Sequence, residues 1–170
     1  MCKDHLHHLW LGLERCRAAR LSLNPAKCEF GVTNGALLGH IMSKEGIVVE
    51  PGKIDAIIKS LTTKNAKQLG RFLGKLHWHS RMLRYLADFA TPLHAAVHRT
   101  QFRWTKMEEK AYEVLKIMLL QAPVVQPPDW TWPFHVFVDA SDIAIGSALM
   151  QLKTPNWYQP VYYSSRKLST

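Results

Sequence analysis

The sequence contains no aspartate or glutamate beyond Asp142, and its acidic residues are few overall, 13 against 22 lysines and arginines. Phosphodiester hydrolysis by two metal ions needs several carboxylates around those ions. The segment from Phe134 onward therefore has too few carboxylates for such a centre. The excess of basic residues gives a formal net charge of +9, which favours a polyanionic partner, nucleic acid before membrane.

Cysteine is also scarce, and long hydrophobic runs are missing. The three cysteines, Cys2, Cys16 and Cys28, are unevenly spaced, which is typical of reduced thiols in an intracellular compartment. No apolar run approaches the roughly 18 residues of a membrane span, and the first residues lack a signal-peptide hydrophobic region. We therefore expect an intracellular protein without a membrane partner.

Few side chains suggest a metal site outside the segment from Phe134 onward. His5 and His8 share a helical face near Cys2, but no pair with zinc-site spacing completes a ligand set. Cys28 is expected to be a small buried residue rather than a nucleophile.

What the sequence does contain is a strand-like segment that ends in an aspartate. Alternating apolar residues from Phe134 run into Asp139, and a second apolar run follows from Ile143. A rigid strand end is a usual place for a metal-binding carboxylate. A structural reading stays open, in which Asp139 only caps a turn.

Periodicity and turn residues predict the other elements. A helix is expected over about Asp4–Arg20, ending ahead of Pro25. A hairpin follows, with one strand over 36–42, a turn in which Gly46 takes positive φ, and a return strand over 47–49. Pro51 suits the first position of the next helix.

Two capping boxes predict later helix starts. Asn65 with Gln68 opens a long helix whose apolar face runs to Leu83, and Thr105 with Glu108 opens another. Between them, a short helix over 93–98 is expected after Pro92. A proline-rich connector and three strands complete the chain; the strands are predicted at Phe134–Asp139, Ile143–Gln151 and Pro160–Tyr163.

The long helix carries a basic stripe opposite its apolar face. The stripe consists of Lys64, Lys67, Arg71 and Lys75, beside a line formed by Gly70, Gly74 and Trp78. Lysine and arginine neutralise phosphates, glycine allows close approach, and an indole can stack on a base. The alternative is a solvated helix face with a glycine packing seam.

Seven short pieces occur in the order found in gypsy-type retrotransposon polyproteins, and the chain resembles the region from late reverse transcriptase into RNase H. They are His5–Leu9, Leu23–Phe30, Leu38–Ile41 with Gly46–Ile47, Arg71–Gly74, Phe102–Thr105 with Ala111–Tyr112 and Leu115–Lys116, Val138–Asp142 and Ser165–Ser169.

The resemblance implies roles for several residues. The hairpin at Leu38, Gly39 and His40 is similar to the primer grip, and 74–78 resembles the lentiviral thumb helix that follows the minor groove. Gly70 departs from that helix, which has a polar side chain there. Asp139 takes the position of the first RNase H carboxylate, which binds Mg²⁺ in the parent enzyme.

Both parental active sites are expected to be incomplete. Only four residues precede His5, so the Tyr-x-Asp-Asp polymerase motif of the family lies outside the chain. The chain also stops before the helix that carries the second RNase H acid. We therefore expect an incomplete Mg²⁺ site at Asp139, no stably bound cofactor and no catalysis by this chain alone.

The sequence thus predicts an α+β fold with an incomplete three-stranded antiparallel RNase H-like sheet. The expected domains are a palm remnant with the hairpin (1–50), thumb-like helices (51–120), a connector (121–133) and a truncated RNase H-like domain (134–170). The expected partner is an RNA–DNA hybrid or duplex DNA, bound weakly and without sequence specificity, and self-association through the sheet is expected. The alternative function is a part of an active polymerase and RNase H whose missing halves come from the full polyprotein or a partner chain.

Overall fold

Residues 2–59 and 65–168 are described by the computed structural model, and they confirm the α+β class. Within those ranges the chain forms five α-helices and two three-stranded antiparallel sheets. The helices are α1 (Cys2–Ala18), α2 (Pro51–Ile58), α3 (Ala66–Trp78), α4 (Leu86–His98) and α5 (Lys106–Leu120). The strands are β1 (Gly35–Leu37), β2 (His40–Ser43), β3 (Gly46–Val49), β4 (His135–Ala140), β5 (Ala144–Thr154) and β6 (Trp157–Lys167).

The chain divides into two compact units, Met1–Val32 and Thr33–Thr170. In the first unit α1 ends earlier than predicted, and Pro25 does not end it. Arg20 takes a left-handed φ of 55°, and the N–H of Leu21 donates to the carbonyl of Cys16 at 2.9 Å. This is a Schellman end, in which the chain turns back on its own last carbonyls.

The segment predicted as a hairpin forms the three-stranded sheet β1-β2-β3. The prediction of one strand over 36–42 was wrong, because this segment contains parts of both β1 and β2. Leu38 and Gly39 have φ angles of 51° and 80° and form a tight turn between β1 and β2. Two successive positive φ angles match the twist of a two-residue hairpin. The following turn is as predicted, with Gly46 at a φ of 132°. Non-glycine residues such as Leu38 give little sequence signal for a left-handed turn.

The helical middle of the chain begins as the capping residues predict, but one helix boundary differs. Asn65 caps α3 and Thr105 caps α5 with a complete capping box. The helix that starts at Asn65 stops at Trp78 rather than reaching Leu83. A 3-10 turn (Ser80–Met82) and a left-handed Tyr85 with φ 56° separate it from α4.

Helix α4 is longer than predicted, because Pro92 lies inside it rather than ahead of it. Proline removes one backbone donor but does not end a helix that is held by its packing. One face of α4 is buried in the core. That core is shared by α3, α4, α5 and β3; its largest fully buried members are Leu69, Leu76, Met82, Leu83, Leu93, Tyr112, Leu115 and Leu119.

The second sheet has the order β4-β5-β6, as the three predicted strands require. Strand β6 extends further than predicted, to Lys167. One face of the sheet carries the buried Ala144, Ala148 and Tyr163, and α4 packs on β5 and β6. The connector joins both sheets: Val125 pairs with Ile47 of β3, and the N–H of Gln126 donates to the carbonyl of Pro160.

Candidate nucleic-acid interface

The basic stripe lies on the exposed side of α3. Lys67, Arg71 and Lys75 are exposed, whereas Leu69, Phe72, Leu73 and Leu76 are buried on the opposite side. Among the described residues, these three cations make no ion pair. Their charges are therefore available to an outside anion. Lys64, the fourth predicted member of the stripe, lies outside the described residues.

Next to the stripe, the backbone of α3 is not covered by a side chain at two positions. Gly70 and Gly74 are exposed, and a Cβ atom built on either would meet no described atom within 4 Å. No described element packs into this gap, so the glycines do not serve as a helix seam there. The gap lets a ligand approach the backbone of α3 closely.

Trp78 connects this face of α3 to the turn at Leu38 and Gly39 between β1 and β2 (the hairpin turn). Its indole N–H donates to the carbonyl oxygen of Leu38 at 2.8 Å, while 56% of the residue stays exposed. The hydrogen bond fixes the edge of the indole and leaves the ring accessible to a ligand. The structure thus brings together two sets of predicted site residues that are 40 positions apart in the chain.

Behind the turn, His40 and His79 form a buried pair. Nε2 of His40 and Nδ1 of His79 are 3.1 Å apart, and both residues are buried. Burial, and then the neighbouring His40, lower the pKa of His79 to about 4. Burial, and then Arg81, lower the pKa of His40. The pair is therefore neutral at pH 7, and one ring donates the shared hydrogen bond to the other. His40 therefore packs beneath the hairpin turn against His79 and is not exposed to a ligand.

A groove opens between the hairpin turn, α2 and α3. Its volume is about 510 Å³. It is lined by Leu38, Gly39, Lys53, Ala56, Ile57, Lys75, Trp78 and His79. Sequence reasoning missed Lys53 and His79, because nothing in the pattern of α2 or α3 indicates which other element each residue faces.

Asp139 lies at the end of β4 and is exposed, as its sequence context predicts. Its carboxylate accepts a hydrogen bond from the hydroxyl of Tyr85 at 3.2 Å. That hydroxyl also accepts a hydrogen bond from the guanidinium of Arg84 at 2.7 Å. The ring of Tyr85 lies against Gly146, where a built Cβ atom would come within 2.9 Å of Cδ1. No sequence pattern pointed to Tyr85, since its role depends on a contact across 54 positions.

The residues around Asp139 do not fit a magnesium site. Across 2–59 and 65–168, no three His, Cys, Asp or Glu side chains are grouped closely enough to hold a metal ion. The nearest partner of the Asp139 carboxylate is a hydroxyl donor, and Asp88 accepts a hydrogen bond from Ser141 at 2.8 Å. A magnesium ion needs oxygen acceptors in an octahedral arrangement. No step through a metal follows from this arrangement.

Comparisons with known proteins agree with the fold and with the family resemblance. Residues 104–170 match the RNase H-like domain found in reverse transcriptase. Over 167 residues, which is 98% of the chain, the sequence is 29% identical to the Transposon Tf2-3 and Tf2-4 polyproteins of Schizosaccharomyces pombe. The resemblance to gypsy-type retrotransposon polyproteins is confirmed.

Solved structures of a foamy viral protease-reverse transcriptase have the same fold. The foamy viral protease-reverse transcriptase in complex with RNA/DNA hybrid matches 99% of this chain with a TM-score of 0.79 and 17% identity, and the match spans 23% of that chain. The dRH form of that enzyme in complex with double-stranded DNA matches 99% of this chain with a TM-score of 0.77, at 17% identity and over 30% of its own length.

The chain spans 12% of the length of the Tf2 polyproteins that it matches. Among its described helices, none is long and apolar enough to cross a membrane.

Proposed function

We propose that this chain is a nucleic-acid-binding segment of a retrotransposon reverse transcriptase and RNase H, and that it does not catalyse either reaction alone. Binding is to duplex DNA or an RNA–DNA hybrid, is weak, and does not depend on sequence. The contact surface consists of Lys67, Gly70, Arg71, Gly74, Lys75 and Trp78 with the turn at Leu38 and Gly39. Lys64, the fourth cation of the predicted stripe, is included from the sequence alone.

One observation carries the proposal: Lys67, Arg71 and Lys75, which make no ion pair with any described residue, share the exposed face of α3 with two glycines, and Trp78 is fixed beside them. Such cations displace the condensed counterions of a nucleic acid, and this release supplies most of the affinity. The foamy viral enzymes with this fold are described in complexes with double-stranded DNA and with an RNA/DNA hybrid, which supports a duplex as the ligand.

In this proposal the chain does not catalyse either reaction, because its RNase H-like segment has too few carboxylates to hold two metal ions. Two-metal chemistry requires several acids around the ions, and the segment 134–170 contains only Asp139 and Asp142. The carboxylate of Asp139 accepts a hydrogen bond from the hydroxyl of Tyr85. In this proposal Asp139 keeps the position of a catalytic acid but serves as a hydrogen-bond acceptor, and no cofactor is bound stably. Magnesium belongs to the parent enzyme.

A salt titration of duplex binding tests the surface. The double variant Arg71→Ala, Lys75→Ala should weaken binding to every duplex alike and flatten the log–log salt slope by about two units, one for each lost phosphate contact. Trp78→Ala should lower affinity with little change in slope, because stacking releases no counterions. The matched control is Lys106→Ala, Lys110→Ala, which removes equal charge from α5. Unchanged affinity and slope in all the α3 variants would refute the proposed surface.

A second function is favoured by the share of the relatives that the chain spans, which is 12%. In this alternative the segment is part of an active polymerase and RNase H, and the remaining residues come from the full polyprotein or a partner chain. The same surface would then hold the duplex for chemistry done elsewhere. Magnesium-dependent hybrid cleavage by the isolated chain that disappears in Asp139→Asn would contradict our preferred function.

We also propose self-association through the second sheet. Val136, Val138 and Ile145 are exposed on the face opposite α4, at 64%, 66% and 40%. The outer strands β4 and β6 have no further strand beside them among the described residues. Exposed strand edges next to an apolar face favour pairing between chains.

A further inference from the structure

The groove beside Trp78 has three walls that come from different elements. Helix α2 contributes Lys53, Ala56 and Ile57, the hairpin turn contributes Leu38 and Gly39, and α3 contributes Lys75, Trp78 and His79. Its volume of about 510 Å³ lies within the ~300–1,000 Å³ typical of small-ligand sites. A space of this size admits a single nucleotide but not a duplex.

The chemistry of the walls is cationic at two points and apolar or aromatic elsewhere. Neither Lys53 nor Lys75 makes an ion pair with any described residue, and the described lining residues include no carboxylate. The stem of Lys53 lies along the turn, since a Cβ atom built on Gly39 would be 3.6 Å from its Cγ. This packing holds one ammonium group at the edge of the groove.

Trp78 is preorganised for stacking in this groove. The carbonyl of Leu38 holds its indole N–H, so the ring does not have to be ordered when a ligand binds. A ring fixed in this way loses less conformational entropy on binding than a free one. Bases stack on such rings whatever their identity.

From these walls we infer that the groove binds one unpaired nucleotide at the end of a nucleic-acid strand. The base lies against Trp78 and the apolar side of the groove, and the phosphate lies between the ammonium groups of Lys53 and Lys75. The inference rests on the proposed function and deepens it: the α3 face holds the duplex, and the groove selects a duplex with an unpaired end. Lys53 is the added binding residue.

The test compares a blunt DNA duplex with the same duplex carrying an unpaired nucleotide at its 3′ or 5′ end, by fluorescence anisotropy at fixed salt. The unpaired end should raise the affinity of the natural chain about tenfold, and an abasic end should lose most of that gain because it cannot stack. Lys53→Ala should bring the ratio of the two affinities close to one. Lys59→Ala, which removes an exposed lysine paired with Asp55 on the same helix, should keep the ratio.

The outcomes separate this inference from the proposed function. Equal binding of blunt and unpaired ends by the natural chain overturns the groove assignment and leaves the duplex surface intact. Failure to bind the blunt duplex at all refutes the duplex surface instead. A ratio that survives Lys53→Ala in a variant with an unchanged circular dichroism spectrum also overturns the groove. Displacement of the unpaired-end probe by free nucleoside monophosphate supports it.

Discussion

Among single residues, His40 and His79 couple the hairpin to the end of α3 through one hydrogen bond between buried rings. Sequence reasoning found His40 through family resemblance and assigned it to the nucleic-acid surface. The structure places it beneath that surface, because the left-handed turn at Leu38 and Gly39 directs the following side chain into the protein. No local pattern reports that His79, 39 positions away, meets it.

This pair predicts a pH dependence of stability. The folded-state pKa of His79 is about 4, below the ordinary value, so the unfolded chain binds more protons between pH 6.5 and 4. The free energy of unfolding should therefore fall as the pH is lowered through this window and level off below it. The expected loss is on the order of 3 kcal/mol, since the pKa of His79 falls from 6.5 to about 4 and one pKa unit corresponds to ~1.4 kcal/mol.

Urea denaturation across this pH range measures the effect. His79→Asn keeps a polar side chain but cannot titrate there, so its stability should depend less steeply on pH. His5→Asn is the matched control, because His5 is exposed and lies on α1, away from this pair in the sequence. An equal pH slope in the natural chain and in His79→Asn would show that the pair is not the source.

Between elements, the first turn of α4 is fastened to the second sheet. The hydroxyl of Tyr85 donates to Asp139, and the N–H of Ala87 donates to the hydroxyl of Ser165 at 2.9 Å. Sequence patterns located the strands of the second sheet and most helix starts, since caps and alternation are local signals. They missed this junction, because it depends on a left-handed tyrosine and on the absence of a side chain at Gly146.

The junction predicts a steric effect at Gly146. In Gly146→Ala the new methyl group would meet the ring of Tyr85 at 2.9 Å, and overpacking of this kind costs about 1–3 kcal/mol. The double variant Gly146→Ala, Tyr85→Ala should recover part of the loss relative to Tyr85→Ala alone. Gly70→Ala is the control: its site is open and helical, so it should stabilise by about 0.5–1 kcal/mol. Additive losses in the double-mutant cycle would show that Tyr85 does not fill this space.

For the whole molecule, the order of elements along the chain was more predictable than the contacts between residues far apart in the sequence. Seven short pieces in family order were enough to indicate the reverse-transcriptase and RNase H resemblance, and the second sheet follows from turns and alternation. The groove was not predictable, because it forms where α2, α3 and the hairpin turn converge. The proline-rich connector (121–133) was likewise predicted to be a linker, yet Val125 forms a β-bridge with Ile47 of the first sheet.

The uncovered face of the second sheet predicts the behaviour of the purified chain in solution. Val136 and Val138 expose apolar surface on β4, next to a strand edge, and three strands alone are marginally stable in water. We expect sedimentation velocity to show association that increases with protein concentration. Val138→Lys should shift the chain to monomer, because a charge on an edge strand opposes pairing. Ile117→Lys, an equal change at an exposed position on α5, should leave association unchanged.

The monomeric variant then tests how stability is distributed. Without a partner chain, amide hydrogens over 134–163 should exchange faster than those over 65–83, since α3 is buried along one whole face and the sheet is covered on one side only. Association that persists in Val138→Lys would assign the contact to another surface. Equally strong protection of both segments in a verified monomer would mean that α4 alone stabilises the sheet, and that the exposed valines are tolerated rather than used for assembly.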